Sequence, residues 1–159
     1  MNKKRILVLS DHPLSPSGVG TQTKYMIEAL YPVDGYGNHE IIRSILQKEK
    51  PDLVWFMTDP RFYEWLWEIE NEVRANVPMV YYHVWDNFPA PHFNAKWYRS
   101  NDHVACISKV THEIVKQVAP QVDSSYLPHA VNASIFRPSH TADEKAEAAK
   151  IRENILEAS

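Results

Sequence analysis

Two spacings of apolar residues alternate along the chain. Ile6-Leu7-Val8-Leu9 is a short unbroken apolar run, the pattern of a strand covered on both faces. Val19, Thr23, Met26, Ile27 and Leu30 then recur at helical spacing and predict a helix over about 19–30. Asn38 is placed to cap a second helix with Ile41, Ile42, Ile45 and Leu46 on one face, ended by Lys50-Pro51-Asp52. Leu53-Val54-Trp55-Phe56-Met57 reads as a second buried strand. Phe62, Trp65, Leu66, Ile69 and Val73 predict one long helix after Pro60, and Met79 to Val84 a third strand after Pro78. Val104-Ala105-Cys106-Ile107 is the fourth strand, followed by a helix that Ser108 caps and that carries Thr111, Ile114, Val115 and Val118. Ser124 to Leu127 gives a short fifth strand, stopped by Pro128.

Strand alternating with helix predicts a single-domain, Rossmann-like α/β fold, a doubly wound and mainly parallel sheet over residues 1–138. Such sheets take ligands beyond the carboxyl ends of their strands. Those ends carry Ser10, Asp11 and His12, then Thr58 and Asp59, then His83, Asp86 and Asn87, then Ser108 and Lys109, and lastly His129 and Asn132. Loops are polar in any protein, but His83 belongs to an apolar strand and so stands apart. Residues 139–159 differ in composition. Thr141 and Glu144 form a capping box ahead of an Ala-, Glu- and Lys-rich helix with a thin apolar stripe of Ala148, Ile151 and Ile155.

Composition narrows the function classes. The formal net charge is −3, against a generally basic nucleic-acid binder. The one cysteine, Cys106, excludes an internal disulfide framework and fits a reducing compartment. No apolar run approaches the roughly 18 residues that span a bilayer, and the start lacks a signal-peptide core. The expectation is a folded cytoplasmic domain with no membrane span and no nucleic-acid partner.

Among the motifs, Ser17-Gly18-Val19-Gly20 leads straight into the first predicted helix. Two glycines there let a backbone approach a ligand at a helix N-terminus, or simply make a tight turn. A dinucleotide fingerprint needs a third glycine where Thr23 stands, and a shorter turn after the strand, so a nicotinamide or flavin cofactor is not expected. His83, Asp86 and His92 lack the helical spacing of a zinc site, and no metal is expected. His83 reads either as a satisfied structural histidine or as a group touching substrate. Ser108-Lys109 at a helix start suits an oxyanion, and a plain cap explains Ser108 equally well. The stretch from Trp85 to Phe93, interrupted by Pro89 and Pro91, reads as an exposed aromatic loop able to stack on a sugar ring.

Taken in order, these segments resemble a known group. The strand–loop–helix around Gly18 and Gly20, Lys50-Pro51-Asp52-Leu53-Val54, and Val77-Pro78-Met79-Val80 through His83 with Asp86 nearby are three of its features. The fourth is Asp102 to Ser108, then Tyr126 to Asn132 and Phe136-Arg137-Pro138. Over about residues 5–138 the chain resembles the N-terminal domain of a family-4-type retaining glycosyltransferase with two Rossmann domains, the GT-B architecture.

The resemblance implies transfer of a sugar from a nucleotide-sugar donor to an acceptor hydroxyl. His83 would approach the transferred sugar. Gly18 and Gly20 would lie against the donor phosphates or the acceptor, and Asp11, Asp86, Ser108 and Lys109 would line the cleft. It also implies a C-terminal, donor-binding domain beyond residue 159, without which the chain is expected to be inactive. The segment between Leu30 and Lys50, about 20 residues, is shorter than in that family. A competing expectation is a non-catalytic or engineered Rossmann-like module that self-associates through an apolar cleft wall.

Overall fold

The computed structural model describes residues 4–10, 32–33, 38–85, 87–129 and 141–157. The chain divides into two units, Met1–His129 and Ala130–Ser159. In the first, six strands form one sheet: β1 (Ile6–Leu9), β2 (Pro32–Val33), β3 (Leu53–Thr58), β4 (Met79–His83), β5 (His103–Cys106) and β6 (Ser124–Tyr126). Their order is β2-β1-β3-β4-β5-β6, and every pairing is parallel. The predicted parallel α/β sheet is therefore observed. The brief strand β2 falls between Leu30 and Lys50, and the predicted helix over 19–30 lies outside the described residues.

Residues alternate between the two faces of the sheet, as strand geometry requires. Leu7, Leu9, Val54, Phe56, Met79, Tyr81, Val104 and Cys106 belong to the larger core cluster, with Ile42, Leu66, Val73, Ile114 and Val115 from the helices. Met57, Tyr82 and Ala105 form a second cluster on the other face. Helix α1 (His39–Glu49) begins where Asn38 accepts the backbone N–H groups of Glu40 and Ile41. It ends at Lys50, in the left-handed conformation with φ 45°, ahead of Pro51. Ile42 is buried, whereas Ile41 on the predicted apolar face is exposed.

The long helix predicted after Pro60 is broken in three. A 3-10 turn (Pro60–Phe62) is followed by α2 (Glu64–Glu68) and α3 (Glu70–Arg74), with Ile69 at φ −112° and ψ 19° between them. Tertiary anchors override the helical period here. Tyr63 Oη donates to Leu9 O at 2.7 Å, and Trp67 stacks on Trp97 while its indole N–H donates to Asn101 Oδ1. A second 3-10 turn (His92–Asn94) runs into α4 (Ala95–Arg99), and α5 (Lys109–Val118) starts at Ser108 as expected.

The amino ends of the strands are tied together by charge. Asp102 Oδ2 accepts the Met79 N–H at 2.8 Å, while its Oδ1 holds Arg74, which also reaches Glu70. Asp52 accepts the backbone N–H of Arg5 and pairs with Lys4. In the second unit, α6 (Ala142–Glu157) opens with the anticipated capping box: Thr141 Oγ1 accepts Glu144 N–H, and Glu144 Oε2 accepts Thr141 N–H.

Candidate functional site

At the carboxyl edge the order of the strands reverses between β1 and β3, the place where a parallel sheet opens a crevice. The described residues beside it are Ser10, which is buried, and Asp59. Asp59 caps the first 3-10 turn, accepting the backbone N–H of Arg61 and two guanidinium N–H groups of the same residue. Burial opposes ionisation of this carboxyl, but the Arg61 side chain and backbone outweigh it and hold the group below its ordinary range.

His83, the last residue of β4, is 0% exposed. Its neighbours explain how a polar ring survives there. Nδ1 lies 3.1 Å from Tyr81 Oη, two residues back on the same strand face, and Nε2 lies 2.9 Å from Tyr98 Oη on α4. Tyr98 Oη in turn receives a hydrogen bond from Asn94 Nδ2 at 3.3 Å. A neutral imidazole donates from one ring nitrogen and accepts at the other, so the two tyrosines play opposite roles toward it. Desolvation pushes the His83 pKa down to about 3, so the ring is neutral at physiological pH. Burial likewise raises the Tyr81 and Tyr98 hydroxyls and takes the Cys106 thiol, beside His83 in the β-ladder, up to about 12. This is a dry cluster of neutral hydrogen-bonding groups beneath the rim.

Ser108 serves as a cap with every proton accounted for. Its Oγ accepts the Thr111 N–H at 3.0 Å and lies 2.7 Å from Thr111 Oγ1, which donates to Trp85 O at 2.8 Å. Since Thr111 spends its hydroxyl proton on Trp85, Ser108 donates to Thr111. The start of α5 is thereby fastened to the segment that leaves β4. Lys109 stands beside this cap, exposed. The structure therefore places His83, Ser108 and Lys109 along one edge, His83 inside it and Lys109 on its surface. Asp11, Gly18, Gly20 and Asp86 lie outside the described residues.

Most of the large exposed apolar side chains described in the first unit lie on segments that leave this edge. Phe62 follows β3, Phe88 and Phe93 follow β4, Val110 follows β5, and Tyr126 and Leu127 end β6. Tyr82, on the opposite sheet face, donates to Leu127 O and packs its ring against His129, whose pKa burial lowers. Sequence reasoning missed Tyr81 and Tyr98 as the partners of His83, and Asn94 as the partner of Tyr98. Tyr81 was findable, because residues two apart on a strand share a face. Tyr98 and Asn94 were not, because their approach depends on how α4 folds back.

At the opposite edge, α1 and α3 border a groove of about 430 Å³ floored by Leu46, Pro51, Val73 and Val77. Arg43 spans its wall, gripping Glu72 through two nitrogens and also Glu40. Among the described residues no group of three or more His, Cys, Asp or Glu side chains is placed to hold a metal, and no helix is long and apolar enough to cross a membrane. No family model, curated protein or solved structure matches the chain.

Proposed function

We propose that this chain is the acceptor-side domain of a retaining, nucleotide-sugar-dependent glycosyltransferase of the GT-B architecture. The observation that carries the reading is the unequal dressing of the sheet. Its carboxyl edge, where a parallel sheet receives ligands, holds His83, Asp59, Ser108 and Lys109 together with exposed Phe62, Phe88 and Phe93. A polar floor rimmed by uncovered apolar groups suits a cleft shared with a second, donor-binding lobe. The order of the motifs from Lys50-Pro51-Asp52 to Tyr126-Leu127-Pro128 supports the same family.

In this role His83 is a neutral imidazole held by two tyrosines, a device for shaping the cleft wall without introducing charge. In a retaining transfer the leading contribution is stabilisation of the departing phosphate, and basic residues of the donor lobe supply it in this architecture. The chain alone is then expected to bind nucleotide-sugars feebly and to transfer nothing. Backbone amide shift mapping with UDP-glucose and GDP-mannose tests this. Weak changes confined to Asp59, His83, Ser108 and Lys109 are expected. Changes centred on the Arg43–Lys50 groove, or sugar transfer by the 159-residue protein that His83→Ala abolishes, overturn it.

The exposed rim also favours one other reading, a module that self-associates through this edge. Sedimentation over a wide concentration range separates the two. A constant monomer mass removes the second reading.

A further inference from the structure

Exposed phenylalanines are common singly, but here two of them are held out from the surface by a braced segment. Phe88 is 79% exposed and Phe93 68%. Trp85 stands between them in bonding terms. Its indole N–H donates to Asn87 O at 3.1 Å, directly before Phe88, and its ring meets Phe93 edge-on at 6.0 Å. Trp85 itself packs on the main core, and its carbonyl is pinned by the hydroxyl of buried Thr111. Backbone bonds from His92 N to Ala90 O and from Asn94 N to Pro91 O fix the rest of the turn. The backbone that carries both rings is thus pinned, so less of it remains to be ordered on binding.

We propose that Phe88 and Phe93, braced by Trp85, form a stacking platform for the apolar face of a neutral pyranose, as part of the acceptor. This rests on the functional reading above and specifies its substrate class. A pyranose offers a flat patch of C–H groups ringed by hydroxyls, which matches flat rings set in a loop whose backbone remains accessible. A nucleic-acid strand would also stack, but it requires a run of unpaired cations along its phosphates. The nearby cations Arg61 and Lys96 are instead each paired with a carboxylate, Asp59 and Glu64, and exposed Lys109 is a single cation and not a run. A neutral ring therefore fits the charge of this surface better than a polyanion.

Saturation-transfer NMR on the full chain reads this directly, with methyl β-D-glucopyranoside, methyl β-D-galactopyranoside, methyl α-D-mannopyranoside and a thymidylate hexamer as probes. We expect transfer to the ring C–H protons of at least one glycoside. We also expect affinity about tenfold weaker in Phe88→Ala and in Phe93→Ala with the thermal midpoint unchanged, and retained affinity in Phe88→Trp. Absence of transfer to all three glycosides, equal transfer in the alanine variants, or stronger transfer to the thymidylate overturns the platform. So does concentration-dependent dimerisation that both alanine variants abolish. No donor takes part in this measurement, so the nucleotide-sugar experiment succeeds or fails independently of it.

Discussion

The amino and carboxyl edges of this one sheet are finished in opposite ways. At the amino edge nearly every charged group meets another: Lys4 with Asp52, Arg74 with Glu70 and Asp102, Arg43 with Glu40 and Glu72. At the carboxyl edge the His83 cluster is sunk and neutral, the Asp59–Arg61 pair and Lys109 are the charges beside it, and Phe62, Phe88 and Phe93 stand outside. Such an inversion costs stability at the second edge, because burying hydroxyls and an imidazole requires that each be hydrogen-bonded, and exposed phenyl rings gain nothing from water. The difference makes the first edge a stitched seam and leaves the second with its aromatic side chains uncovered.

Substitutions that disturb the buried cluster break this contrast most severely. His83→Ala leaves a hole at a fully enclosed position and strips a partner from both Tyr81 and Tyr98. Urea titration should show a loss of about 3 kcal/mol. Acid acts on the same group. The folded pKa of about 3 lies below the unfolded value near 6.5, so the unfolded chain takes up the proton first. Stability is therefore whole above about pH 6.5 and declines as the pH falls toward 3, with a limiting slope of roughly 1.4 kcal/mol per pH unit from this group. His129, also lowered by burial, adds the same sign, while Asp52, Asp59 and Glu72 are lowered carboxylates that cost stability only in more acidic solution. Melting curves between pH 6.5 and 4.5 should be distinctly flatter in pH for His83→Gln than for the parent; equal slopes would remove His83 as the origin.

Smaller changes sharpen the contrast. Thr111→Val preserves shape but deletes the hydroxyl that joins Ser108 to Trp85, and should destabilise by about 1–2 kcal/mol. Its more telling readout is broadening of the Trp85 indole N–H resonance, since the brace on that residue is gone. Ser108→Ala should cost about 1 kcal/mol in thermal unfolding, the ordinary loss of a helix cap. Lys4→Ala, at the seam, removes a pair whose lysine is 81% exposed, and calorimetry should detect no change. A large effect there would mean that the amino edge depends on that single pair.

The four inner strands, β1, β3, β4 and β5, were legible in the sequence because each is a short, mainly apolar run, the mark of a parallel sheet buried on both faces, whereas β6 is Ser124-Ser125-Tyr126 and β2 only two residues long. Caps were legible too: Asn38, Ser108 and the Thr141–Glu144 box each perform the local bond their chemistry suggests. The failure after Pro60 is instructive, because Phe62, Trp65 and Ile69 keep a perfect helical period without forming one helix. Phe62 faces solvent, and the turn is set by where Tyr63 and Trp67 find their distant partners Leu9 and Asn101. The candidate site divides along the same line. That His83 matters could be read from its place in an apolar strand, whereas its enclosure by Tyr98 and Asn94 is a property of three dimensions only.

One consequence of the sheet's all-parallel order concerns how the molecule comes into being. Ile6 must find Leu53, Val54 must find Met79, and Val104 must find Ser124, so no ladder closes through a tight hairpin. Each rung waits for a long excursion of the backbone to return, and the entropy of that wait precedes any reward from pairing. Refolding should accordingly be slow for a protein of this size, with central strands transiently bare. A nascent chain would be most vulnerable to clumping during that interval.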